Sequence, residues 1–289
     1  MRFINPKIDF GFKKIFGSQD SQEILISFLN AILYDGEPTI EFLTILNPHL
    51  APRIRGFKDT YLDVKAQLNS GKTVVIEMQV LNIEGFEKRI LYNAAKTYSM
   101  QLKQGEDYTE LNPVIALTIT DFVMFPDWEK FTSWFVLKEK DFLMDYPIYD
   151  LELVFVELPK FEKNLEEVRT LCDKWLYFIQ RARQMNEIPP ILGKVTAISE
   201  AFSIANIANL SEEELSDLEH REIFIHDQRN AFVRAERSGW KRGLEQGLEQ
   251  GQQESKVEIA RQLLGILDEA TVAQMTGLTI EKIREIDRP

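Results

Sequence analysis

Tyr61-Leu62-Asp63-Val64-Lys65-Ala66-Gln67-Leu68, then Asn69-Ser70-Gly71, then Lys72-Thr73-Val74-Val75-Ile76-Glu77-Met78-Gln79-Val80 is the stretch on which the reading of this chain turns. Residues 61–68 alternate polar and apolar with period two, and residues 72–80 are rich in β-branched side chains, so both runs predict strands. The three residues between them predict a short turn, closed by Gly71 in the left-handed conformation. A loop of that length pairs Leu68 with Lys72, so that Asp63 faces Glu77, Lys65 faces Val75 and Tyr61 faces Gln79. A two-residue turn at Ser70-Gly71 would instead set Asp63 opposite Met78 and move Glu77 to the other face. The meeting of the two carboxylates therefore depends on register.

Two carboxylates a few ångströms apart raise each other's pKa unless a cation lies between them. Mg2+ suits such a site, with Mn2+ as a substitute. It takes oxygen donors, here Asp63, Glu77 and the backbone carbonyl of Met78, and retains waters, one of which it can activate as a nucleophile. Lys65, two residues from Asp63 on the same strand face, could add positive charge beside the cation. The alternative is that Asp63, Lys65, Glu77 and Gln79 form the solvated face of an ordinary antiparallel sheet.

An acid on one strand followed by Glu77-Met78-Gln79 on the next resembles the PD-(D/E)XK nuclease superfamily. The chain resembles more closely its recombination-promoting nuclease (Rpn) family of nucleases and transposases. The resembling residues are Asp9-Phe10-Gly11-Phe12-Lys13-Lys14-Ile15-Phe16-Gly17, the hairpin, Arg89-Ile90-Leu91-Tyr92 with Tyr98 and Gln101, and Phe155-Val156-Glu157-Leu158-Pro159-Lys160-Phe161. The resemblance implies a restriction-endonuclease-like α/β core and metal-dependent cleavage of DNA linked to recombination or mobile elements. Its rivals are a catalytically inactive binding module and a structural oligomer. Gln79 stands where the superfamily most often has lysine, and an amide can orient a water but cannot bear charge.

Outward from the hairpin, residues 86–104 predict a helix of nearly five turns. Ile90, Ala94, Thr97 and Met100-Gln101 lie near one stripe, and Arg89, Tyr92 and Lys96 share another. On that second stripe a cation and a phenol could contact a phosphate, or Tyr92 and Tyr98 could be half-buried core aromatics. Asp9 could join the metal site or serve as the N-cap of a helix starting near Gly11, with Lys13 beside it. Further strands are expected at 113–120, 132–137 and 151–158, giving a mixed sheet flanked by the helices near 11–33 and 86–104.

The chain has 289 residues, 44% of them hydrophobic and 11% aromatic, enough to build a packed core. No stretch approaches the roughly 20 apolar residues of a membrane span, and no charged head precedes an apolar run at the amino terminus, so a cytoplasmic location is expected. Cys172 is the single cysteine and the three histidines show no zinc spacing, which sets aside disulfide and zinc chemistry. The net charge of −12 is the reverse of a nucleic-acid-binding footprint. Affinity for DNA would then rest on a local cluster drawn from Lys13, Lys14, Arg53, Arg55, Lys58, Lys65, Lys88, Arg89 and Lys96, and on the metal.

Four segments are expected: the nuclease-like core at 1–160, a helical region at 161–238, a glycine-repeat helical linker at 239–254 and a carboxy-terminal module at 255–289. Gly243, Gly247 and Gly251 recur every fourth residue beside Leu244 and Leu248, which suits a helical linker or the pairing of helices in a homodimer. Residues 268–283 have the small residues, Gly277-Leu278 turn and capped second helix of a helix-turn-helix. Glu281, Lys282, Arg284 and Glu285 on that second helix suit a protein contact as well as DNA.

Overall fold

The computed structural model describes residues 1–50 and 60–286. Strands β1 (Leu43–Leu46), β2 (His49–Leu50), β3 (Thr60–Tyr61), β4 (Val64–Leu68), β5 (Thr73–Gln79), β6 (Val114–Thr120), β7 (Thr132–Phe135) and β8 (Leu151–Glu157) form two sheets. β2 and β3 make a small ribbon, and the other six form a mixed sheet in the order β1-β4-β5-β6-β8-β7. β5, β6 and β8 run parallel in its middle, while β1, β4 and β7 pair antiparallel. β5 (TVVIEMQ) and β6 (VIALTIT) read as nearly continuous apolar runs because both faces of these central strands are covered.

The helices are α1 (Asp9–Phe16), α2 (Gln22–Leu33), α3 (Phe86–Ser99), α4 (Leu171–Arg181), α5 (Pro190–Gly193), α6 (Thr196–Ala205), α7 (Glu212–Leu264), α8 (Glu269–Thr276) and α9 (Ile280–Ile286). α1, α2, α4 and α6 bury Phe12, Phe16, Phe28, Trp175, Phe178 and Phe202 with Val74, Ile76 and Met78 of β5. α3 covers the opposite face, packing Phe86, Ile90 and Ala94 on Val75, Ala116 and Phe155. α3 is also the crossover that carries the chain from β5 to the parallel β6. This is the mixed sheet flanked by helices expected from the hairpin together with the further strand-like runs and the helices near 11–33 and 86–104.

Two local features fasten the unit. Phe3 bridges Asn206 as an isolated β pair and packs edge-on against Phe202, so the start of the chain clasps the segment after α6. Within the FVELPKF stretch, Glu157 is fully buried. Its carboxylate accepts the backbone N–H groups of Met124 and Phe125 at 2.7 and 3.0 Å and the Lys160 ammonium at 2.7 Å. Every partner is supplied, as a charge without access to water requires.

The helices end or begin elsewhere than expected in three places. α3 stops at Ser99 instead of Gln104, because Gln101 exchanges hydrogen bonds with the backbone of Asn112. The helical region expected from 161 begins as α-helix only at Leu171, with Thr170 and Asp173 forming a capping box. α7 continues through 239–254 as one helix of 53 residues.

The chain divides into compact units at 1–225 and 226–289. In the second, Ala260, Val272, Ala273 and Ile283 form a small core with Leu263, Leu267 and Leu278. Asp268 caps α8, and Gly277 (φ +69°) makes the left-handed turn into α9. Among the described residues no helix is long and apolar enough to cross a membrane.

Candidate active site

Gly71 adopts φ +85° at the hairpin turn, and β4 pairs with β5 as Val64–Ile76, Lys65–Val75, Ala66–Val74 and Gln67–Thr73, the register that the three-residue loop implies. The ladder closes with Asp63 N–H donating to the Ile76 carbonyl at 3.2 Å. Before that point the expected pairing fails. Tyr61 pairs with His49, their rings stacked 4.4 Å apart, and not with Gln79. The cause is Leu62, which joins the core under α3, whereas Val64, two residues on, joins the core on the other face. Residues i and i+2 of a straight strand share a face, so the chain must kink at Asp63.

The kink builds the site. It leaves the N–H of Met78 without a strand partner, and the Asp63 carboxylate takes its place at 2.7 Å. The Met78 carbonyl, on the same edge of β5, opens in the same direction. Glu77 points toward α3, where Asn93 donates to one oxygen at 2.5 Å and Arg89 reaches the other at 3.4 Å. Arg89 also donates to the Gln79 oxygen at 2.8 Å, while the Gln79 nitrogen donates to the Leu81 carbonyl at 2.8 Å. Arg89 and Asn93 stand one helical turn apart and so point the same way.

α1 brings a second acid. Asp9 lies in the first turn, with Ile8 at the cap position and no capping bond from either side chain, so it is not an N-cap. Lys13 sits 2.5 Å from Asp9 and 3.4 Å from Asp63, and Arg221 from the start of α7 contacts Asp9 at 2.6 Å. Burial, and then the hydrogen bond with Asp9, push the Asp63 carboxyl up to about 7. Burial acts in the same direction on Asp9. There the hydrogen bonds from Asp63 and Lys13 and the charges of Lys13 and Arg221 outweigh it, and its pKa falls. The two acids therefore titrate as a pair, and it is burial of Asp63 that most opposes a second negative charge beside Asp9.

These groups surround a cavity of about 390 Å³. Asp9, Asp63, Glu77, Met78 and Gln79 line it, α3 adds Arg89 and Asn93, and β3 adds Thr60 and Tyr61. Three buried polar atoms in that lining, Asp9 Oδ1, Arg89 Nε and Asn93 Oδ1, have no hydrogen-bond partner among the described residues, Asp9 Oδ1 having only its ion pair with Lys13. The donors are hard oxygens, which fits a hard divalent cation and a phosphate. Among the described residues no three Asp, Glu, His or Cys side chains converge on one point. A cation here would take Asp63, Glu77 and the Met78 carbonyl, and complete its shell from water and substrate.

The other expected residues lie elsewhere. Lys65 is half-buried on the same sheet face, its pKa lowered by burial, but does not line the cavity. Tyr92 is 38% exposed and also outside it, with the Lys96 ammonium 5.8 Å from its ring centre. Lys96 donates to the Leu50 carbonyl at 2.6 Å, and Tyr98 donates to Asp150 at 2.6 Å. Lys14 pairs with Glu214. Arg53, Arg55 and Lys58 lie outside the described residues. Asn93 was not anticipated, although an asparagine inside the apolar stripe of Ile90, Ala94 and Thr97 was a visible signal.

No curated protein and no solved structure gives a match. The family model described as PD-(D/E)XK nuclease family transposase matches residues 6–235, a span that takes in α1, the kinked hairpin, α3 and Arg221. With the acids of the hairpin converging on one cavity in a mixed sheet, the chain belongs to the PD-(D/E)XK nuclease family transposases.

Proposed function

We propose that the protein is a Mg2+-dependent DNA endonuclease, with Mn2+ able to substitute, acting in recombination, transposition or other traffic of mobile elements. The observation that carries this reading is the convergence of Asp9, Asp63, Glu77 and the Met78 edge of β5 on one cavity, where burial disfavours the charged form of Asp63. Such a cluster is electrostatically incomplete until a cation enters.

Asp63, Glu77 and the Met78 carbonyl would hold the cation, whose chemistry is to lower the pKa of water and to neutralise charge gathering on phosphorus. Asn93 and Arg89 hold the Glu77 carboxylate in its orientation. Lys13 and Arg89 supply positive charge where the phosphate oxygens would lie. Gln79, engaged at both ends of its amide, keeps Arg89 in place. Lys65 acts through its field alone, and Tyr92 lies toward the path of the flanking strand. Hydrolysis forms one oxygen–phosphorus bond from water and breaks the bridging one. The leaving oxygen takes up a proton, and the attacking water releases one to solvent.

The exposed Trp240, Leu244 and Leu248 beside Gly239, Gly243, Gly247 and Gly251 favour a homodimer paired along α7. The remaining reading, a binding module without catalysis, is separated by one experiment. Supercoiled and linear DNA are incubated with Mg2+ or Mn2+ and wild type, Asp63→Ala or Glu77→Ala. Cleavage lost in both folded variants supports the enzyme; equal traces in all three overturn it.

A further inference from the structure

Gln79 stands where a water-orienting group is expected, yet the structure commits it elsewhere. The Arg89 guanidinium can only donate, so the Gln79 oxygen must face it and the nitrogen must face the Leu81 carbonyl. The amide cannot be turned round without setting donor against donor.

Asn93 is the reverse case. It is 3% exposed, and its nitrogen donates to Glu77 at 2.5 Å. A carboxylate with no proton to give accepts only, so the Asn93 oxygen must be the other end of the amide. That oxygen is buried and has no partner among the described residues, in a residue that lines the cavity. A buried acceptor left without a donor is unfavourable, and native proteins retain one where a ligand or water completes it.

We propose that Asn93 orients the attacking water: its oxygen accepts a hydrogen bond from that water while its nitrogen fixes Glu77. One rigid amide then sets the position of the nucleophile relative to the carboxylate that holds the cation. The inference rests on the reading of the cavity as a phosphodiesterase site. A carboxamide does not ionise at neutral pH, so Asn93 aims the water's lone pair at phosphorus without becoming a base, and the proton passes to solvent.

The test uses the full chain with Mn2+. Asn93→Leu keeps the volume and removes both polar ends; Asn93→Asp keeps an acceptor and loses the donor to Glu77. Mn2+ binding is followed by electron paramagnetic resonance, DNA affinity in Ca2+ by fluorescence anisotropy, and turnover by plasmid nicking. Asn93→Leu is expected to lose about 100-fold in kcat, the cost of a misplaced nucleophile. Its KM and its DNA affinity in Ca2+ should stay within about threefold of wild type. The proton couplings of Mn2+-bound water should differ from wild type, a readout independent of turnover. Asn93→Asp should recover about tenfold or more over the leucine variant, because an acceptor is restored.

A leucine variant that binds Mn2+ and turns over like wild type overturns the proposal and leaves the nuclease reading intact. Equal loss in both variants, with Mn2+ binding preserved in the aspartate variant, also overturns it, since an acceptor then does not matter. Wild type that neither binds Mn2+ nor cleaves overturns the nuclease reading itself. If Asn93→Leu does not fold, Asn93→Ser replaces it, with the same expected loss, because its hydroxyl is too short to reach both Glu77 and the water.

Discussion

Asp63→Asn is expected to stabilise the metal-free protein while it abolishes cleavage. Asparagine has the shape of aspartate, and its oxygen can still accept the Met78 N–H that the kink exposes. What it removes is a charge that the fold disfavours, first by burial and then by the neighbouring Asp9. The Asp63 carboxyl moves from an ordinary 3.8 to about 7, and at 1.36 kcal/mol per pKa unit its full ionisation opposes folding by about 4 kcal/mol. The sign follows from proton binding. The fold holds this proton more tightly than the unfolded chain does, so the associated stability is complete below pH 3.8 and is lost as pH rises through about 7. The lowered pKa of Asp9 acts the other way, but only in acid, below its ordinary value of 3.8. Between pH 5 and pH 8 the advantage of the asparagine variant should therefore widen by roughly 2 to 3 kcal/mol, or roughly 5–10 °C in thermal midpoint. Thermal and urea unfolding of both proteins in EDTA at pH 5, 6.5 and 8 measures it. A gap that does not change with pH, or an asparagine variant that loses ground as pH rises, refutes the account of two acids competing for one proton.

The same trapped proton makes cation binding pH-dependent. Mn2+ must displace it, so apparent affinity should rise about tenfold per pH unit up to about 7 and flatten above, with one proton released, as calorimetry in buffers of different ionisation heat will show. Glu157→Ala leaves the Lys160 ammonium buried without its carboxylate and strips Met124 and Phe125 of their acceptor, so it should cost about 3–5 kcal/mol in urea unfolding; a cost near zero would show that the pair is dispensable. Gly71→Ala must place a Cβ at φ +85°, 2.6 Å from the Asn112 side chain. It should destabilise by about 1–2 kcal/mol, and an unchanged unfolding midpoint would contradict the turn geometry.

What the sequence made legible were the features that depend on short spacing. The three-residue loop set the β4–β5 register, and the apolar runs of β5 and β6 reflected burial on both faces. What it hid depended on tertiary partners. Leu62 is apolar whichever core it enters, so the kink that separates Tyr61 from Gln79 leaves no mark on the alternation. On α3, residues 92 and 93 follow Arg89 by three and four positions, and spacing alone admits either to its face. The fold selects Asn93 and turns Tyr92 outward. Lys13 is 50 residues from Asp63 and Arg221 is 212 from Asp9, distances over which no local pattern can report.

The clasp between Phe3 and Asn206 also has a temporal side. At roughly 5–20 residues per second, a ribosome reaches Asn206 roughly ten to forty seconds after Phe3 has been polymerised. For most of that interval the aromatic core that seats α1, the helix of Asp9 and Lys13, lacks Trp175, Phe178 and Phe202. The acids can gather only once the unit is nearly finished, so the cavity is a late product of synthesis.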